Sequence, residues 1–180
     1  ISLHNINSIA KYERKTLFRS WFFRIFSILA LVVLFAMNLG MVSDAGQPNW
    51  IMRAIPSSIP YFNLLILNVA QAIIAVFLAS DFLKRDKKLD TTEVIYMRSM
   101  TNGEYVIGKT LGNIQVFMIL NIAVLVMGLV FNLTASGTHV PWISYLIYLL
   151  LISIPTLLFI MGLSFLLMSL IRNQAVTFVI

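Results

Sequence analysis

The residues from Gly103 to Thr110 read GEYVIGKT and fit G-x-x-x-x-G-K-[ST]. That spacing is the phosphate-cradling loop of nucleotide-binding proteins, in which backbone amides and a lysine hold the phosphates. Four fixed positions match by chance in about one chain of this length in a few hundred. The loop needs a strand before it, a soluble α/β setting around it, and a downstream carboxylate for magnesium. None of these is in the sequence. The residues after Lys109 are a long apolar run, and Glu104 is the last acidic residue of the chain.

The local signals favour a helix start instead. Thr101-Asn102-Gly103-Glu104 is T-x-x-E, a capping box in which Thr101 caps the helix and Glu104 reaches back. Glu104 also suits the positive end of the helix dipole. The helix is predicted to run through Gly108 into an apolar span. Lys109 becomes a cytoplasmic anchor, and Gly108 and Gly112, four apart, offer a close-packing face. A second box, Asp90-Thr91-Thr92-Glu93, starts a helix of about two turns through Val94, Ile95, Tyr96, Met97 and Arg98. So short a helix is marginal alone in water, so packing on its own domain or docking into another protein must hold it.

The surrounding elements are membrane spans. The chain is 59% hydrophobic and 11% charged, with a mean hydropathy of +0.90. Soluble domains carry roughly 25% charged residues, so this chain needs a bilayer as solvent. Cysteine is absent, which removes disulfides, thiolate catalysis and zinc-thiolate sites. The predicted fold is an all-α integral membrane fold, a single transmembrane domain. An amphipathic interfacial helix covers 1–20, followed by spans at 21–42, 61–80, 110–133 and 142–170, with a fifth beginning at 175–180. Residues 81–109 form a cytoplasmic loop, and Pro155 predicts a kink in the fourth span. Ile1 and the apolar run reaching Ile180 suggest a fragment of a longer membrane protein.

With the N-terminus in the cytoplasm, twelve of the thirteen Lys and Arg flank cytoplasmic ends, and only Arg53 lies outside. The net charge of +6 therefore needs no nucleic acid; it marks the side facing anionic membrane lipids. In the first helix Ile6, Ile9, Ala10, Leu17 and Trp21 share one face, with Lys11, Lys15 and Arg19 opposite. Glu13 breaks the apolar face; a partly solvated ion pair and a contact to a partner subunit both accommodate it.

Asn38, Asn63, Asn68, Gln71, Asn113, Gln115 and Asn121 fall in or near spans. Asn68 with Gln71, and Asn113 with Asn121, share helix faces. They either hydrogen-bond between helices or line a substrate path or dimer seam. No charge sits at mid-membrane, which disfavours ion-coupled transport. His4 and His139 have no second ligand at metal-like spacing.

The layout, and above all RDKKLDTTEVIYMRSMTNGEYVIGKTLG after the second span, resembles the type-2 ABC transporter permeases. The specific part is about thirty residues, Asp81 to Gly112. That family often has a proline after its coupling helix, where this chain has Ser99. The resemblance implies a transport subunit, an exporter permease without catalysis of its own. It implies pairing with a second permease copy or paralogue. It also implies a separate ABC ATPase that carries ATP and Mg and docks on Asp90–Arg98, and a place in a cell membrane, the inner membrane of a bacterium. The rival readings are a membrane scaffold subunit and a lipid-processing enzyme, whose only candidate acids are Asp81, Asp86, Asp90 and Glu93.

Overall fold

The computed structural model describes residues 2–42, 56–88, 101–134 and 140–171. Its elements are helices α1 (Leu3–Arg19), α2 (Trp21–Val42), α3 (Ser58–Lys88), α4 (Asn102–Thr134) and α5 (Trp142–Tyr148). A π-helical turn (Leu149–Ser153) and helix α6 (Ile154–Ile171) complete them. There is no strand among the described residues. Among the described residues, four stretches are long and apolar enough to cross a membrane: Trp21–Met41, Ser58–Phe77, Gly103–Thr134 and Trp142–Leu167.

One helix outruns the span read from the sequence: α3 does not stop with the apolar run but continues through the KRDKK run to Lys88. Lys and Arg are good helix formers, and a helix leaving the bilayer has no reason to stop at its edge. α4 begins at Asn102, directly after the Thr101 cap, as the T-x-x-E box predicts. The loop expected over 81–109 is therefore helical at both ends. The coupling-helix candidates Asp90, Thr91, Thr92, Glu93, Val94, Ile95, Tyr96, Met97 and Arg98 lie outside the described residues, as does the start of a fifth span at 175–180.

Pro155 acts one turn before itself. It has no N–H to return to the preceding turn, and the Ile154 N–H bonds back to the Leu149 carbonyl, five residues earlier. The predicted kink is thus a π-turn over Leu149–Ser153, which rotates Ser153 into a buried position.

The helices sort into two compact units. The first holds α1, α3 from Gln71, α4 up to Val116 and α6 from Leu157. The second holds α2, α3 up to Ala70, α4 from Phe117, α5 and the π-turn. In the second unit, Leu34, Leu67, Leu120 and Val124 form one apolar cluster, and Leu64, Leu125 and Tyr145 another. Edge-to-face rings, Phe23 on Phe117 and Phe35 on Phe131, join α2 to α4. In their most apolar stretches, 50% and 44% of the residues of α3 and α4 are buried, against 17% for α2 and for α5–α6.

Candidate functional site

In the first unit, the GEYVIGKT stretch is helix. Gly103 to Thr110 lies wholly within α4, so from Tyr105 onward its amides point along the helix, and the stretch is a helix rather than a glycine-rich loop. The capping box is in place. The Glu104 N–H donates to Thr101 Oγ1 at 3.3 Å, and the Thr101 N–H donates to Glu104 Oε2 at 3.2 Å. The same carboxylate accepts the Ser2 N–H and, at 3.5 Å, the Asn5 side-chain amide. One residue therefore tethers the starts of two helices, α1 and α4.

Below this tether, α1 lies against α4 at a spacing that only glycine permits. A Cβ on Gly108 would come within 2.8 Å of Ile9 Cβ, and one on Gly112 within 2.8 Å of the Ala10 carbonyl oxygen. This close approach brings Glu13 over Lys109, with Lys109 Nζ 3.4 Å from Glu13 Oε1. The two side chains are 3% and 5% exposed, and the ammonium also sits 4.7 Å from the Tyr105 ring centroid. Two expectations change here. Glu13 is buried rather than partly solvated, and Lys109 is a buried partner on α4 rather than a solvent-reaching anchor. The reason is the glycine pair, which lets α1 cover both. The inward face of α1 is Ile6, Ala10, Glu13 and Leu17; Trp21 does not share it, being the first residue of α2 and 75% exposed.

The second unit holds a ladder of buried amides. Asn38 and Asn63 pair reciprocally, at 2.8 and 3.1 Å, and Asn38 also donates to the Leu34 carbonyl. The Asn63 amide needs the missing side chain at Gly128, where a Cβ would sit 2.9 Å from Asn63 Nδ2. Ser153, turned inward by the π-turn, accepts from Asn68 at 3.1 Å and donates to Asn121 Oδ1 at 3.0 Å. Asn132 donates to Tyr145 Oη and to the Pro56 carbonyl.

Of the four polar candidates, the structure joins Asn68 and Asn121 through Ser153. Gln71 and Asn113 lie in the first unit. All four are buried in the chain's own packing. Neither Asn113 amide atom nor Asn68 Oδ1 has a hydrogen-bond partner among the described residues.

Three participants escaped the sequence reading. Ser153 is an unremarkable serine until Pro155 forces the π-turn. Tyr145 read as part of an apolar run. Lys109 did carry a signal, a lysine flanked by Gly108 and Gly112 on the face that α1 would need. Among the described residues no three His, Asp or Glu side chains converge as a metal site. The chain matches no family profile, no curated protein and no solved structure.

Proposed function

We propose that the chain is the membrane-spanning permease subunit of an ATP-driven exporter of the ABC type. It forms the substrate pathway with a second copy or a paralogue, and it couples to a separate ATPase. The observation that carries this reading is the fixed junction at the start of α4. Glu104, the Glu13–Lys109 pair and the Gly108–Gly112 contact bind α1 to α4 directly after the segment that holds the second capping box.

The geometry suits transmission of a push. α3 and α4 are 31 and 33 residues long, so each spans about 45–50 Å at 1.5 Å per residue. A hydrocarbon core is only about 30 Å thick. Both helices therefore project beyond the bilayer at the ends that the 89–101 segment connects. A partner pressing on Glu93–Arg98 would act on two stiff levers, one of them braced by α1.

The test is co-purification of the full chain from native membranes in mild detergent. The reading requires an ATPase subunit in the complex, with a turnover that changes when this chain is removed. Activity on lipid by the chain alone, with no ATPase bound, would replace it with the membrane-enzyme reading.

A further inference from the structure

Helix α1 has two sides with different fates. Its inner side, Ile6, Ala10, Glu13 and Leu17, is buried, with Ile6, Ala10 and Glu13 against α4. Its outer side carries Lys11, Arg14, Lys15 and Arg19, all exposed. Lys11, Lys15 and Arg19 are spaced four apart, so they form one row about 12 Å long, with Arg14 beside it. Tyr12, 65% exposed, and Phe18, 38% exposed, stand among the bases.

The row has no internal counter-charge. The only acid in α1 is Glu13, which is buried and committed to Lys109. Among the described residues no carboxylate pairs with any of the four bases. Like charges one turn apart repel, so a row of three exposed bases calls for an external anion. Its place in the chain says which one. Arg19 is two residues before Trp21, where the first membrane-crossing stretch begins. The row therefore ends where headgroup phosphates lie. Exposed aromatic rings between bases match the boundary between phosphate and acyl chain.

We propose that this exposed row of α1 is a binding site for anionic phospholipid headgroups. Because the apolar face of α1 is occupied by α4, charge rather than apolar insertion attaches its outer side to the membrane. The proposal does not depend on the transport reading.

The experiment uses the full chain in neutral detergent micelles, titrated with fluorescent phosphatidylglycerol or phosphatidylcholine. Phosphatidylglycerol should bind preferentially at low salt, and the preference should collapse at about 0.5 M salt, where screening is nearly complete. The triple variant Lys11→Gln, Lys15→Gln, Arg19→Gln should lose phosphatidylglycerol affinity roughly a hundredfold, at about fivefold per base. Its phosphatidylcholine binding should not change. Lys11→Arg with Lys15→Arg should keep the preference. Hydrogen-exchange protection of α1 should be the same in all variants, since these side chains do not touch α4. Equal binding of the two lipids by the unsubstituted chain would overturn the proposal, as would a triple variant that keeps the preference. Tight binding of polyglutamate without lipid discrimination would also overturn it, and would assign the row to an acidic protein surface.

Discussion

Substituting Lys109 by Met removes one charge from a pair that is almost sealed from solvent. At 3.4 Å and an effective dielectric of about 20, the attraction between Glu13 and Lys109 is about 5 kcal/mol before desolvation is counted. Desolvation offsets most of that sum, so the intact pair contributes little net stability. Its loss is a different matter. Lys109→Met removes the Lys109 ammonium from beside a Glu13 carboxylate that is only 3% exposed, at a cost of about 3–5 kcal/mol. Glu13 lies on α1, whose docking is local, so the cost should appear as release of α1 rather than as global unfolding. Hydrogen exchange of the amides from Asn5 to Leu17 reads this directly. Lys109→Met should speed exchange there by a factor of about a hundred or more. The double variant Glu13→Leu with Lys109→Met removes both charges and should recover most of the protection. Exchange in α5, which belongs to the second unit, should not move in either. A single variant with unchanged α1 protection would refute the buried pair, and so would a double variant as damaged as the two single losses combined.

The glycines give a second set of outcomes. Gly112→Ala should weaken α1 docking by about 1–3 kcal/mol, because the backbone carbonyl of Ala10 cannot move aside. Gly128→Ala should cost a similar amount through the Asn38–Asn63 pair. Gly40→Ala and Gly162→Ala, where nothing lies within 4 Å, should be neutral or slightly stabilising; thermal unfolding in micelles orders all four. For orientation, an impermeant thiol reagent outside the cell should label Ser136→Cys and spare Thr92→Cys, and the opposite pattern would invert the topology. Lys109→Ala should leave the nucleotide affinity of the isolated chain at none; ATP binding abolished by that substitution would restore the phosphate-loop reading of Gly103–Thr110.

The helical class and the four spans were legible because apolar runs of span length have few alternatives. The Thr101–Glu104 box was legible because its two bonds are local and need only the T-x-x-E spacing. The Glu13–Lys109 pair was half legible. Each residue looked out of place, but a sequence does not say which helix covers which face. The length of α3 was not legible: the charges after Ser80 mark the end of the apolar run, but lysine and arginine extend a helix readily, and α3 runs on to Lys88. Ser153 was invisible for another reason: its inward turn follows from a change in hydrogen-bond register that Pro155 imposes at a distance. Asn132 illustrates the converse. It sits in a glycosylation sequon, yet its side chain is 2% exposed and its amide is already bonded to Tyr145 and Pro56.

The proposal that this chain passes the work of a separate ATPase into the membrane is tested most directly at the segment between α3 and α4. On the proposed reading Tyr96 is the residue to test, since an aromatic buried at such an interface can contribute about 2 kcal/mol or more. The direct measurement is ATP turnover and partner retention for Tyr96→Ala in reconstituted membranes, with α1 hydrogen exchange as the control for folding. The account predicts an inserted chain with a protected α1, at least a tenfold loss of partner affinity, and ATP turnover that no longer responds to the chain. Full partner binding and full coupling in Tyr96→Ala, while Gly112→Ala and Lys109→Met abolish both, would contradict it and leave the segment packed on its own domain.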